Sequence, residues 1–383
     1  MSTLRSKPEV AVAAGGLFLL CWGLVHLGFW SQGALVDWPT YKSYGDAILN
    51  HGRVPYRDFA VEYPPGALAV VILPAALGNY ATAFAWEMAG CGLALIAVVT
   101  AIRREAAFYV ALAPVLAGSL ILSRFDLWPA LLTVAALAAL LRERHGLGWG
   151  LLGAAVAAKL WPLVLVPLAL VWSYRAGRAR AALVGLAVVA AVFVPFAVVA
   201  PHGLWDSLRG QASRPLQIES LGASLFTAFG HASVISSHGS QNVAGHGAVA
   251  ALFALLQIAT LVALWIAFAR GPATGNRLLR YSAAAVCAFI AFGKVLSPQF
   301  LIWLIPLVPL VRGRRGYAAT GLLTLALVLT QVWFPRRYWD YVYAFHNADA
   351  VLARNVALVA LLVVLAWPDQ VAQRAAMPQS QPG

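Results

Sequence analysis

The chain has 383 residues, of which 61% are hydrophobic and only 11% charged, with a formal net charge of +13. Soluble globular domains carry about 25% charged residues, so too little polar surface remains to cover a water-soluble body of this size. A basic balance invites a nucleic-acid reading. Here, however, Lys and Arg sit in short gaps between apolar runs (Arg103-Arg104, Arg142 with Arg144, Arg175 with Arg178 and Arg180, Arg312 with Arg314-Arg315), as cytoplasmic loops do under the positive-inside rule, and no nucleic-acid partner is expected.

Arg5 and Lys7 precede the first apolar stretch, 10–30. Signal peptides have an apolar region of about 7–15 residues and a small-residue cleavage site. This stretch is longer and ends in aromatics, so it is expected to be a retained first helix. Further apolar segments fall near 66–78, 81–102, 107–123, 126–141, 147–158, 160–173, 181–200, 246–269, 281–295, 298–311, 317–334 and 350–367. About 20 apolar residues cross the hydrocarbon of a bilayer. The pattern therefore predicts an all-α polytopic membrane protein with about 10–13 membrane segments, some of them half-helices that need a protein-lined or wet cavity. The expected organisation is one transmembrane domain over 1–367, with outer loops at 31–65 and 201–245 and a disordered cytoplasmic tail at 368–383. Treating 66–78 as non-spanning puts most basic loops and both termini on the cytoplasmic side and most loop acids outside. Cys21, Cys91 and Cys287 lie singly in apolar runs and read as free buried thiols.

The first outer loop gathers Asp37, Asp46, Asp58 and Glu62 with Lys42, Arg53 and Arg57. Residues 41–50 fit a juxtamembrane helix with Trp38, Tyr41 and Tyr44 at headgroup depth. Asp37 follows the first span directly. It is either a general base at the edge of low dielectric or an N-cap for the helix after it. Tyr63-Pro64-Pro65-Gly66 fixes the direction in which the chain re-enters the membrane. Next come Ser123-Arg124-Phe125-Asp126, a polar break at membrane depth, and Lys159-Leu160-Trp161-Pro162, a lysine in an apolar run beside a helix breaker. Lys294-Val295-Leu296-Ser297-Pro298-Gln299 repeats that second arrangement. A lone intramembrane Lys costs about 2.5–3.5 kcal/mol on insertion scales. It therefore either snorkels or meets an anion such as a phosphate. His202, His231 and His238 in the long outer loop, with Arg209 and Arg214, have no metal-ligand spacing and read as polar surface or substrate contacts; Arg336-Arg337-Tyr338-Trp339-Asp340-Tyr341 with His346 suits carbohydrate or headgroup contact, or an ordinary interfacial belt. There is no Walker motif, no HExxH and no Asp-X-Asp pair.

An Asp after the first helix, then Pro55-Tyr56-Arg57-Asp58-Phe59, Glu62-Tyr63-Pro64-Pro65-Gly66, Arg124-Phe125-Asp126, Lys159-Leu160-Trp161-Pro162 and Lys294-Val295-Leu296-Ser297-Pro298-Gln299, in that order, resemble glycosyltransferase family 87 over about 30–310. The resemblance implies a GT-C-like helix bundle in a bacterial plasma membrane, with its active site facing outward. It implies metal-independent, inverting transfer of a sugar, mannose by analogy, from a polyprenyl-phosphate donor to a glycolipid or polysaccharide acceptor of the cell envelope. No cofactor or metal is expected. The carried-over roles are Asp37 as base with Asp58 as alternative and Glu62 beside them. Arg124, Lys159, Lys294 and Gln299 fall on the donor phosphate, and Tyr41, Tyr63, Asp126 and His346 on the sugar or acceptor. Intramembrane charges and broken helices also fit a secondary transporter or lipid-linked-sugar flippase, for which inverted repeats would be the sign; none is visible.

Overall fold

A backbone in hydrocarbon must satisfy its own hydrogen bonds, so apolar runs of membrane length become helices. In the computed structural model, which describes residues 7–30 and 35–368, six helices are long and apolar enough to cross a membrane: Pro8–His26, Tyr80–Ile102, Ala179–Val199, Gly247–Arg270, Gly313–Trp333 and Ala348–Ala366. Shorter apolar helices lie between them at Pro65–Ala76, Leu127–Leu141, His145–Ala158, Trp161–Arg175 and Pro298–Leu310, and Gly275–Ala291 adds another 17 residues of helix. The all-α polytopic architecture is as the sequence predicts. The expected tail, apart from Pro368, lies outside the described residues.

Local chemistry decides where helices break. The segment expected as one run over 107–123 is three pieces, Arg104–Ala111, Ala113–Ala117 and Leu120–Ser123. Pro114 lacks an N–H, and Gly118 adopts φ 61°, where a Cβ would stand 2.5 Å from Gln331 Oε1. The juxtamembrane helix is Trp38–Leu49, with Asp37 at its N-cap. Pro65–Ala76 packs against that helix and leads directly to Tyr80, whose ring lies beside Trp38.

The loops separate to two ends. At one end Arg103 donates to the carbonyls of Pro309 and Val311, Arg142 to that of Ala101, and Arg175 to those of Ala269 and Gly271. Arg280 donates there to Leu365 and Trp367. Each of these covers helix C-terminal carbonyls that lack intrahelical donors. The other end holds Asp37, Arg124, Lys159 and the long loop after Ala200. The long loop is structured: helices Pro201–Ala212 and Leu221–Ala228, then a hairpin of Val234–Ser237 and Ser240–Val243. The hairpin turns at His238 and Gly239, both with positive φ, as a two-residue hairpin turn demands. The three cysteines are free and buried.

The Pro201–Ala212 helix presses on the loop around Tyr56 so closely that a Cβ at Gly203 would clash with the Tyr56 carbonyl oxygen. Gly203→Ala is expected to lower the thermal midpoint of purified protein, at an overpacking cost of about 1–3 kcal/mol. Gly210→Ala on the same helix meets nothing within 4 Å and should leave the midpoint unchanged or raise it.

Candidate active site

A cavity of about 660 Å³ opens at the end of the bundle that holds Asp37 and the loop over residues 50–64. Its wall includes Asp37, Glu62, Tyr63, Arg124, Lys159 and Gln299, residues far apart in sequence. Helix breaks bring them together. Arg124 is in extended conformation between Leu120–Ser123 and Leu127–Leu141. Lys159 is likewise extended where His145–Ala158 ends, two residues before the turn that Pro162 sets. At such points the side chain leaves the helical repeat and can point inward.

Two ion pairs form there. Arg124 meets the carboxylate of Asp37. Lys159 Nζ lies 2.6 Å from Asp126 Oδ1, which also accepts a 2.6 Å bond from Trp303 Nε1. The Asp126 side chain is 1% exposed and that of Lys159 15%. Lys159 Nζ is boxed by aromatic faces, 4.8 Å from the Phe125 centroid, 5.4 Å from Trp303 and 5.8 Å from Phe300. Trp303 stacks on Trp161 at 4.8 Å. A charge so enclosed is held in place, and the ring faces favour the cation.

Asp37 occupies an N-cap position, yet its side chain makes no capping bond. It turns to Arg124 and accepts from the Tyr41 hydroxyl at 3.4 Å. Burial raises the affinity of its carboxyl for a proton above the usual carboxylate range, with Arg124 and then Lys159 opposing the shift. Burial likewise raises Glu62, opposed by Arg214. Asp58 is the reverse case. Arg57 and the Val54 N–H hold it at about 2, and it is not part of the cavity wall. Nor are Lys294, whose Nζ donates to the Ala212 carbonyl at 2.9 Å, or His346. Tyr41 and Asp126 stand directly behind the wall, bonded to Asp37 and Lys159 respectively.

Arg214, expected only as polar surface or a substrate contact, lines the cavity, together with Gln217 and Glu219, for which the sequence suggested no site role. Glu219 is pushed up to about 7 by burial, despite favourable contacts with its own backbone, Arg354, Tyr338 and Arg214. Its backbone carbonyl accepts from Arg354 Nη2 at 2.8 Å and Asn355 Nδ2 at 3.2 Å. Arg354 is fully buried in the last span. An arginine inside an apolar run needs such a partner, and that was the available signal. The hairpin tip, His238 to Gln241, closes the same cavity, with Gly239 against Glu62. Among the described residues, no three His, Cys, Asp or Glu side chains are grouped to hold a metal ion.

The profile of glycosyltransferase family 87 matches residues 61–298, well over half the chain. This chain belongs to that family. It is a membrane glycosyltransferase, and the transporter alternative gives way. The matched range contains Glu62, Arg124, Asp126, Lys159, Arg214 and Glu219, while Asp37 and Gln299 lie outside it. ArnT from Cupriavidus metallidurans bound to undecaprenyl phosphate has a similar structure, with TM-score 0.52 and 16% identity over 95% of this chain and 78% of that one. Its apo state matches with TM-score 0.50 and 16% identity over 93% and 76% of the two chains. At that identity the likeness carries the fold, a GT-C-like helix bundle. No curated protein matches the glycosyltransferase.

Removing one partner of a buried pair strands a charge, which costs about 3–5 kcal/mol. Lys159→Met is therefore expected to destabilise the purified enzyme strongly. Lys159→Met with Asp126→Asn, which keeps an acceptor for Trp303, should regain most of that loss in the same thermal assay while remaining inactive.

Proposed function

We propose that the enzyme transfers a sugar from a polyprenyl-phosphate donor to a hydroxyl of a glycolipid or polysaccharide acceptor, with Asp37 as the general base. The observation that carries this reading is that a raised, cavity-facing carboxylate shares one chamber with three cations, Arg124, Lys159 and Arg214. Asp37 takes the proton of the acceptor hydroxyl as its oxygen attacks the anomeric carbon. The bond from that carbon to the phosphate oxygen breaks on the opposite side, and its electron pair stays on the phosphate. The sugar inverts. The leaving group departs as a stable anion, so cations that stabilise it matter more than an acid that protonates it.

Arg124 and Lys159 are already matched by Asp37 and Asp126. Arg214 has no carboxylate at ion-pair distance among the described residues, and feels Glu219 and Glu62 only at longer range. It is thus the cavity cation with most to gain from an incoming phosphate, with Lys159 and Gln299 on the wall of the same cavity. Lys294 serves instead to tie the end of the Pro201–Ala212 helix. Leu160, Leu163, Val164, Phe289 and Val295 make an apolar side of the chamber, and Leu163 reaches the lipid-facing surface. A polyprenyl chain fits that side, as the lipid bound to ArnT makes reasonable. The acceptor then enters past the hairpin tip, Tyr338 and Trp339. Mannose is the donor sugar that membership of family 87 favours. The arginine-rich end of the bundle faces the cytoplasm under the positive-inside rule, which puts the chamber at the outer face of a bacterial plasma membrane.

Asp37→Asn should reduce sugar transfer from polyprenyl-phosphate-mannose by about 100-fold or more without weakening donor binding. Full turnover in that variant would pass the role to another acid. The base must be unprotonated, so kcat/KM falls as pH drops through the Asp37 pKa. Because burial raises that value, the acid limb should lie above the ordinary aspartate midpoint of about 4. Arg124→Met removes the opposing charge and should move the limb to still higher pH in a pH–rate profile.

A further inference from the structure

A second, more open hollow lies at the other end of the bundle. It measures about 880 Å³ and is lined by the Glu143–Leu147 turn and the segment from Tyr174 to Ala181. The His145–Ala158 helix joins the two sites, so at about 1.5 Å per residue they are roughly 20 Å apart, on opposite membrane faces. Arg144, Arg178 and Arg180 converge on this hollow against a single acid, Glu143. All three arginines are exposed. The positive-inside rule accounts for the sign of this charge but not for its arrangement. Arg103, Arg142, Arg175 and Arg280, at the same end, spend their guanidinium groups on helix C-terminal carbonyls. Among the described residues, Arg144, Arg178 and Arg180 have no such acceptor and no ion pair.

The backbone adds to the field. The first turn of the His145–Ala158 helix opens into the hollow with no side chain capping it, and free amides with the positive end of a helix dipole attract anions. The rim is apolar and aromatic where it meets lipid: Leu147 is 53% exposed and Tyr174 74%. Three guanidiniums that can fork onto phosphate oxygens, beside surface that suits acyl chains, match a phospholipid better than a soluble anion. We propose that this hollow binds the phosphate headgroup of an anionic phospholipid of the facing leaflet, with Arg144, Arg178 and Arg180 as its contacts. It is distinct from the donor chamber and does not depend on the reading of that chamber.

The test uses delipidated full-length enzyme, titrated with phosphatidylglycerol or phosphatidylcholine and read by native mass spectrometry. Wild type should retain one phosphatidylglycerol at a concentration at least about tenfold below that needed for phosphatidylcholine. Arg144→Gln, Arg178→Gln and Arg180→Gln together should erase the difference while sugar transfer is kept, which shows that the variant is folded. A charge-matched variant outside the hollow, Arg270→Gln with Arg312→Gln and Arg314→Gln, should behave as wild type. Undiminished preference in the first variant, or equal loss in the second, overturns the proposal. So does displacement of the lipid by millimolar inorganic phosphate, which would mark a soluble-anion site.

Discussion

The structure around the chamber depends on the two ion pairs at its helix breaks, Asp37 with Arg124 and Asp126 with Lys159. Charges this close to hydrocarbon are tolerated only when paired and bonded. The first pair ties the entry to the juxtamembrane helix to the start of the distant Leu127–Leu141 helix, and the second ties that helix start to the far end of the next helix, His145–Ala158. Trp303 closes the second pair from the far side and brings in the Pro298–Leu310 segment. The helices break at Arg124 and Lys159, whose backbone turns extended there, and the side chains released at those points line the chamber.

The same arrangement gives Asp37 two opposed influences. Burial favours its protonated form, and Arg124 and Lys159 favour the anion. The balance leaves a carboxylate that holds a proton more readily than an exposed one, with burial as the larger influence. Asp58, exposed and clamped by Arg57 and the Val54 N–H, is a stable anion with little affinity for a proton. The contrast between two acids of one loop sets tertiary burial at Asp37 against local partners, Arg57 and Val54, at Asp58.

Much of this was legible in the sequence because membrane insertion makes polar residues conspicuous. The apolar runs located the helices to within a few residues. Arg124, Asp126 and Lys159 stood out as charges in apolar surroundings, and Pro162 marked the break beside one of them. Lys294 carried the same local signature yet lies off the cavity wall, because its ammonium reaches a nearby carbonyl; a local motif does not determine which way a side chain turns after a break. Glu219 was invisible for a related reason. It sits in a loop where acids are ordinary, and only its pairing with Tyr338 and Arg354 buries it. The Val234–Val243 hairpin is short and rich in serine, without the alternation that marks a strand, although His238-Gly239 is a serviceable turn signal.

The central claim is that Asp37 and a cluster of cations face one another across the group being transferred. An experimental structure of the enzyme in a lipid nanodisc with polyprenyl phosphate bound tests it most directly. The phosphate is expected within hydrogen-bond reach of Arg214 and Lys159, with the apolar chain running past Leu163 and open space between the phosphate and Asp37. A phosphate held by Lys294 outside the chamber, or one lying on the far side of the bundle from Asp37, would contradict it.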